Sequence, residues 1–137
     1  MNILKKGQRW ALTRKFTQED VLLFAKLSGD NNPLHYDIEF CKSTIFKQPI
    51  CHGMLGASLF SNLLGNNIKG SIYLSQTLKF LRPIYIDEEV EAKLIIRDVF
   101  PEKRRLAIIT QVTKVDKNEL AIDGEAVIKY PEEFKIL

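Results

Sequence analysis

The sequence predicts an α+β domain in which an antiparallel sheet wraps around one buried helix. Two patterns carry this prediction. Apolar residues cover nearly the whole circumference of a helix over residues 52–64, which indicates burial on all sides. Strand-like alternation then continues over residues 71–129 with short breaks. A chain of 137 residues has single-domain length, so we expect one domain over residues 1–137.

The first elements are a strand, a helix and a turn. Apolar and polar residues alternate over residues 7–16, which predicts the first strand. Thr17 suits the N-cap of a helix that ends at Gly29. Asn32 and Pro33 cannot continue this helix, because proline has no N–H and disfavours helical backbone in the residue before it. The chain is therefore expected to turn there.

The remaining elements are a short helix, the buried helix and four strands. Asp37 is expected to cap a short helix through Cys41, and a turn-rich connection follows the buried helix. The strands are expected over residues 71–82, 89–100, 104–115 and 118–129. Gly124 suits a β-bulge in the last strand. This order of elements is typical of an α+β domain.

The composition narrows the classes of function. The net charge of +3 is slight and the basic residues are dispersed, so we expect no nucleic-acid partner. No stretch approaches the roughly 18 apolar residues of a membrane span, and the N-terminus has no export signal. We therefore expect a cytoplasmic protein without a membrane partner. Cys41 and Cys51 fit neither a disulfide framework nor a metal-binding spacing, and are expected to be reduced and buried.

The stretch SGDNNPLHYD, residues 28–37, groups polar side chains around the proline turn. Asp30, Asn32 and His35 are close enough in sequence to converge on one pocket. A carboxylate can accept a proton from water while an imidazole orients that water or returns a proton. The pattern therefore suits acid/base chemistry. The alternative is structural, because Asp, Asn and Pro are common turn formers and a lone histidine often has a structural role.

The stretch ICHGMLGAS, residues 50–58, begins the buried helix. Gly53 stands at its N-terminus, where backbone N–H groups lack partners and the helix dipole is positive. Because Gly53 has no side chain, a substrate carbonyl can approach its N–H, which favours an oxyanion hole over simple close packing. His52 is expected to cap its own turn. Ser58 and Ser61 are polar exceptions whose hydroxyls can instead bond back to the preceding helical turn.

Taken together, these stretches resemble a known family. The chain is similar to the MaoC-like (R)-specific enoyl-CoA hydratases, including the short bacterial hydratases that feed polyhydroxyalkanoate synthesis. The similarity lies in FAKLSGDNNPLHYD, Phe46, PICHGMLGASLFSNLLG and GSIYLSQTLKFLRPIYIDEEV. It covers about residues 7–131, and D-x-N-P-x-H followed by H-G is specific in combination. It implies the hot-dog fold, a long helix wrapped by an antiparallel sheet, and a homodimer or an assembly of dimers.

The resemblance also implies the residues of an active site. It assigns the catalytic dyad to Asp30 and His35. The substrate-binding positions are an active-site amide, the oxyanion donor and two residues beside the acyl chain, in order Asn32, Gly53, Ser61 and Leu64. Lys79 and Arg82 are candidates for binding the phosphates of coenzyme A, with exposed strand-end charges as the alternative.

The implied reaction is the reversible hydration of a trans-2-enoyl-CoA to the (3R)-3-hydroxyacyl-CoA. Asp30 and His35 would hold a water over C3, and Asp30 would take its proton during the attack. Gly53 would stabilise the resulting enolate oxygen. The resemblance implies no metal and no redox cofactor, since coenzyme A is part of the acyl-CoA thioester substrate.

Two other functions stay open from the sequence. A hot-dog thioesterase would direct its water at the thioester carbonyl carbon instead of C3. A non-catalytic acyl-CoA binding module would bind without either reaction. Crotonyl-CoA separates the three, because hydration removes the enoyl absorbance without releasing thiol, whereas hydrolysis releases free coenzyme A.

Overall fold

Eight strands and three α-helices make up the computed structural model, which describes residues 2–137. The strands are β1 (Ile3–Leu4), β2 (Arg9–Lys15), β3 (Ile72–Gln76), β4 (Lys79–Phe80), β5 (Glu89–Phe100), β6 (Arg105–Lys114), β7 (Glu119–Lys129) and β8 (Lys135–Ile136). The helices are α1 (Gln18–Ser28), α2 (Ile38–Lys42) and α3 (Gly53–Asn67), and short 3₁₀ turns cover Pro33–His35 and Pro101–Lys103.

One antiparallel sheet supports α3. Its strands lie in the order β2-β5-β6-β7-β3, and β4 pairs with the first half of β7. Alternate residues of β5 point inward and are fully buried, namely Val90, Ala92, Leu94 and Ile96. They pack in one core with the buried face of α3. Burying each large aliphatic side chain contributes about 1.5–3 kcal/mol, so this layer holds the helix in place. The predicted α+β architecture is confirmed.

Local capping signals define the ends of the helices. The Thr17 hydroxyl accepts from the Asp20 N–H at 3.2 Å, and the Asp20 carboxylate accepts from the Thr17 N–H at 2.9 Å. Gly29 ends α1 in the left-handed conformation with φ 79°, and Asp37 caps α2. These predicted boundaries are confirmed. No helix in the described part of the chain is long and apolar enough to cross a membrane.

The central helix differs from the prediction in its burial. One face of α3 packs on the sheet, but the opposite face is exposed. Before the last two residues of the helix, the exposed positions are Met54, Ser58, Ser61, Asn62 and Gly65. Spacings of three and four residues place them on one stripe of the helix. The prediction of burial on all sides is therefore wrong for the single chain, because its sheet covers only one side of the helix.

The segment predicted as one strand over residues 71–82 is divided into β3 and β4 at Thr77. The Thr77 N–H donates to the Glu125 carbonyl at 2.9 Å, and its hydroxyl accepts from the Glu125 N–H at 3.0 Å. A Cβ on Gly124 would lie 1.9 Å from the Thr77 carbonyl oxygen, so only glycine permits this approach. The bulge predicted at Gly124 is wrong, since the register of β7 shifts at Ala121 instead.

The two ends of the chain lie side by side. β1 and β8 pair in parallel, with the Lys135 N–H donating to the Asn2 carbonyl at 2.8 Å and the Leu137 N–H to the Leu4 carbonyl at 2.9 Å. The sequence did not predict either strand, because two residues are too short to show an alternating pattern.

Candidate active site

Polar side chains hold the turn that follows α1. The Ser28 hydroxyl accepts from the Asp30 N–H at 3.1 Å, and the Asp30 carboxylate accepts from the Asn32 N–H at 3.1 Å. The side-chain oxygen Oδ1 of Asn32 in turn accepts from the Leu34 N–H at 3.1 Å. Each side chain therefore satisfies the backbone two residues further along. This chain of bonds fixes Asp30 at the surface, with its carboxylate exposed.

His35 follows on the 3₁₀ turn and is 7% exposed. Its Nδ1 lies 2.7 Å from the Ile50 carbonyl oxygen. A carbonyl oxygen can only accept, so Nδ1 carries the proton of this bond. In the neutral ring the lone pair is therefore on Nε2. Nε2 is thus the nitrogen that can take a proton from a ligand or return one.

His52 is only 2% exposed, and its ring packs between Phe24 and His35. The rings of His35 and His52 are stacked, with centroids 3.7 Å apart and planes inclined by 26°. The His52 Nε2 donates to the Asp30 backbone carbonyl at 3.3 Å. The prediction that His52 caps its own turn is wrong, since its side chain makes no capping bond within the described chain. Its ring points toward the dyad instead.

The surroundings of His52 favour the neutral ring. Burial lowers the pKa of His52, and the neighbouring His35 adds to this effect. The hydrogen bond to the Asp30 carbonyl and the Asp30 carboxylate oppose it but do not cancel it. The Nδ1 of His52 is buried and has no hydrogen-bond partner among residues 2–137. His52 is therefore an uncharged ring at neutral pH.

Asp30, His35 and His52 each place one donor atom within 4.8 Å of the others. Two imidazoles and a carboxylate are common ligands of transition metals. The stacked rings do not suit such an ion, because ring lone pairs lie in the ring planes and these planes are nearly parallel. The lone pairs of both rings cannot converge on one ion. The cluster is better suited to proton transfer than to metal binding.

A cavity of about 510 Å³ opens beside this cluster, and His52 and Gly53 form part of its wall. Most of its lining is apolar and includes Ile45, Phe46, Met54, Phe80, Leu81 and Ile122. Gly53 is the first residue of α3, so its N–H has no partner within the helix. A Cβ on Gly53 would lie 2.6 Å from two carbons of the Phe80 ring. Any side chain at residue 53 would therefore have to displace the Phe80 ring.

Comparison with known proteins identifies the family of this chain. Residues 2–119 match the model of the MaoC-like domain. The chain belongs to the MaoC-like family. It is 44% identical to the (R)-specific enoyl-CoA hydratase of Aeromonas caviae, over 93% of this chain and 96% of that protein. It is 37% identical to the (R)-specific enoyl-CoA hydratase of Rhodospirillum rubrum, over 93% of this chain and 89% of that protein.

Solved structures give the same result for the fold. The MaoC-like chain matches the (R)-hydratase from A. caviae involved in PHA biosynthesis with a TM-score of 0.90 and 43% identity, covering 93% of this chain and 98% of that one. It matches the unliganded R-hydratase from Pseudomonas aeruginosa with a TM-score of 0.88 and 37% identity, covering 95% of this chain and 84% of that one. The family and the hot-dog fold predicted from the sequence are confirmed.

The MaoC-like chain brings only part of the predicted site together. Asp30 and His35 lie in one cluster, and His52 joins them to Gly53. Ser61 is exposed and Leu64 is buried further along α3, and neither lines the 510 Å³ cavity as the described residues form it. The predicted acyl-chain roles of Ser61 and Leu64 stay predictions, since neither residue shares the cavity wall with His52 and Gly53.

The two basic residues predicted as candidates for the phosphates of coenzyme A differ in their surroundings. Arg82 lines the cavity, but its Nε lies 2.9 Å from a carboxylate oxygen of Glu119. Lys79 is exposed on β4. Cys51, which also lines the cavity, is a buried free thiol like Cys41. Burial raises the pKa of Cys51 to about 12, so its thiol is protonated and unreactive at neutral pH.

Sequence reasoning missed the contact of His52 with the dyad. The sequence held one signal for this contact. The chain has only two histidines, and each lies in one of the two motif stretches. Their separation of 17 positions hides the stacking, which forms only when the segment before α3 folds back on the turn after α1.

Proposed function

We propose that this chain is an (R)-specific enoyl-CoA hydratase, which reversibly adds water to a trans-2-enoyl-CoA to give the (3R)-3-hydroxyacyl-CoA. One observation carries the proposal: Asp30 and His35 form a cluster with His52 at the N-terminus of α3, and His52 and Gly53 form part of the wall of an apolar cavity. The names of the relatives from A. caviae and R. rubrum support the same reaction.

The dyad would bind and activate water. The exposed Asp30 carboxylate accepts one hydrogen bond from the water, and the His35 Nε2 lone pair accepts the other. As the water oxygen forms its bond to C3, Asp30 takes the released proton. The electron pair of the C2–C3 double bond moves toward the thioester oxygen and gives an enolate. The same dyad then delivers a proton to C2, which completes the addition of water.

The first turn of α3 would stabilise that enolate. The Gly53 N–H has no helical partner and lies at the positive end of a 15-residue helix. A hydrogen bond to the thioester oxygen strengthens as negative charge develops there, and one such donor is typically worth about 10²–10³ in rate. The apolar cavity wall excludes water from the acyl group, so attack is confined to the water held by the dyad.

Water and the thioester supply every atom of the proposed reaction, which needs no redox or metal chemistry. Coenzyme A enters as part of the substrate. Lys79 is the better candidate for its phosphates, because Arg82 is already paired with Glu119. A surface lysine contributes modestly to such binding, so the acyl cavity and Gly53 carry most of the recognition.

We also propose that the chain forms a homodimer, or an assembly of dimers, through the β3 edge of the sheet. The two sheet edges differ in chemistry. β2 carries Arg9, Arg14 and Lys15, the kind of charged residues that block edge pairing. β3 carries no charge and exposes Ile72 and Leu74. An uncharged apolar edge suits pairing with a second copy across a two-fold axis.

Two signals from one assay test the activity. With crotonyl-CoA, we expect loss of the enoyl absorbance without release of a thiol, and the product should be oxidised only by a dehydrogenase specific for the (3R) isomer. His35→Ala serves as the control for background hydration. Thiol release would favour a thioesterase, and binding without either signal would favour a non-catalytic module. Either result would overturn the hydratase assignment.

A further inference from the structure

We infer that His52 is the positioning residue of the site, and that its ring fixes the catalytic dyad relative to the Gly53 N–H. The inference rests on the proposed hydratase function. Its support is the set of contacts that one ring makes with both members of the dyad. The ring stacks on His35 at 3.7 Å, and its Nε2–H bonds to the Asp30 main chain at 3.3 Å.

Three hydrogen bonds join the segment before α3 to the turn that carries the dyad. The Ile50 N–H donates to the Leu34 carbonyl at 3.1 Å, and the Ile50 carbonyl accepts from His35 Nδ1 at 2.7 Å. The third bond runs from His52 Nε2 to the Asp30 carbonyl. His52 therefore supplies the one bond of this set that fixes the aspartate end of the dyad.

The backbone of His52 is fixed to α3 at the same time. Its carbonyl accepts from the Leu55 N–H at 3.1 Å and from the Gly56 N–H at 3.2 Å. Gly53 is the next residue, so its N–H moves with this first turn. One residue thus connects the proton-transfer groups to the oxyanion donor. A shift of its ring would change the distance between the two parts of the site.

The remaining nitrogen of His52 has no structural task. Nδ1 is buried and finds no hydrogen-bond partner in the described chain, a situation that destabilises a fold. An apolar ring of similar size would avoid this cost. A need for the Nε2–H explains why the fold tolerates the unpartnered Nδ1. Only a ring with an N–H can both stack on His35 and donate a hydrogen bond to the Asp30 carbonyl.

An uncharged ring also suits the proposed catalytic cycle. In the proposed reaction the neutral His35 Nε2 accepts a hydrogen bond from the attacking water, and a positive charge on a ring 3.7 Å away would weaken it as an acceptor. Burial keeps His52 uncharged, so it places no charge beside His35. His52 can therefore hold His35 without weakening its hydrogen bond to the water.

Three substitutions separate the two contacts. His52→Phe keeps a flat ring for stacking but loses the N–H, whereas His52→Gln keeps an N–H donor but loses the ring. His52→Ala loses both. We expect kcat for crotonyl-CoA to fall by about tenfold in the first two variants and about hundredfold in the third, with KM within about threefold. A loss of binding rather than of positioning would instead raise KM.

Cys41→Ala is the matched control for general loosening of the turn. The Cys41 thiol is buried and lies 3.3 Å from the Leu34 carbonyl, on the same turn, but outside the dyad cluster. We expect this variant to be less stable with kcat within about twofold of the wild type. If His52→Ala does not fold, the Phe and Gln variants decide. A kcat within about twofold in both of them would overturn the inference.

Imidazole ¹⁵N NMR gives a readout that does not depend on activity. The chain has only two histidines, so His35→Ala leaves His52 as the single imidazole signal. We expect the neutral Nε2–H tautomer for His52, and the Nδ1–H tautomer would overturn the inference. If the wild type hydrates no enoyl-CoA, the proposed function fails, and the tautomer measurement still reports separately on the His52 contact.

Discussion

His35 and His52 are stacked at 3.7 Å and hold opposite tautomers. His35 donates from Nδ1 to the Ile50 carbonyl, and His52 donates from Nε2 to the Asp30 carbonyl. The lone pair of the first ring is therefore free for chemistry, whereas that of the second is enclosed in the protein. Two adjacent imidazoles thus have different tasks, and hydrogen bonds to the backbone set the difference.

The dyad can be tested with substitutions that preserve the turn. Asp30→Asn keeps an oxygen that accepts from the Asn32 N–H, so the turn should stay intact while the base is lost. We expect kcat for crotonyl-CoA to fall by about 10²-fold or more in Asp30→Asn and in His35→Ala. Glu39→Gln, at an exposed carboxylate on α2, is the matched control. Retention of more than about a tenth of kcat would contradict a proton-transfer role.

The oxyanion donor can be tested with a compensated pair of substitutions. Gly53→Ala places a methyl group 2.6 Å from the Phe80 ring, so this variant alone mixes a packing clash with a blocked N–H. Phe80→Ala removes the clash. We expect the double variant to fold like Phe80→Ala and to lose about a further 10²-fold in kcat, because the methyl group keeps the thioester oxygen from the N–H. Equal kcat in these two proteins would place the oxyanion donor elsewhere.

Local chemistry explains which parts of the fold could be predicted. Thr17, Gly29 and Pro33 act on their immediate neighbours, so their sequence signals define the ends of α1 and the start of the dyad turn. Long-range contacts explain the errors. The chain bends at Thr77 because that residue bonds to Glu125, 48 positions away. No window of sequence around Thr77 contains this information.

The same distinction holds for the site. Asp30 and His35 lie within one turn, so their grouping can be read from sequence. The stacking of His52 on His35 depends on how two distant segments pack, and a helix-start position predicts only a capping role. The apolar residues of α3 likewise predict that the helix is buried. They do not show how much of its surface the strands of one chain can cover. The stripe through Ser58 and Ser61 is therefore exposed.

Stability should depend on pH through His52. Its pKa is lowered by burial, so below about pH 6.5 the unfolded chain binds a proton at this residue more readily than the folded chain. The neutral His52 ring therefore contributes to the free energy of unfolding. This contribution is fully present above about pH 6.5, and it is lost as the pH falls toward the lowered pKa of His52 in the folded chain. Urea unfolding at about pH 7.5 and about pH 5.5 measures it.

His52→Gln provides the comparison for that measurement, because glutamine does not titrate. Both proteins contain His35 and the same acids, so the difference between them reports on residue 52. The wild type should lose more free energy of unfolding than the variant between the two pH values, at a rate of at most about 1.4 kcal/mol per pH unit. An equal loss in the two proteins would mean that His52 titrates alike in both states.

Acyl length should respond to α3 if a long acyl chain extends beyond the apolar cavity to Ser61 and Leu64, where the family resemblance places it. Leu64 is 2% exposed, so Leu64→Ala opens space in the core next to the helix and costs about 2–5 kcal/mol of stability. We expect kcat/KM for octenoyl-CoA to rise relative to crotonyl-CoA, since each buried methylene is worth about 0.8 kcal/mol. Leu63→Ala, at an equally buried neighbour, should lower stability without changing this ratio.

Assembly through β3 leads to the last prediction. Phe80 and Leu81 line the cavity and are each about half exposed, so a second copy paired along the adjacent β3 would cover its open side. Leu74→Lys puts a charge on this edge, and Thr13→Lys does the same on β2 as the control. We expect light scattering to give a mass of at least twice 15.8 kDa for the wild type and the control, and a lower mass for Leu74→Lys. Hydratase activity should fall with that mass, because the acyl group would then be exposed to solvent on one side. A monomer with full activity would show that one chain forms the whole site.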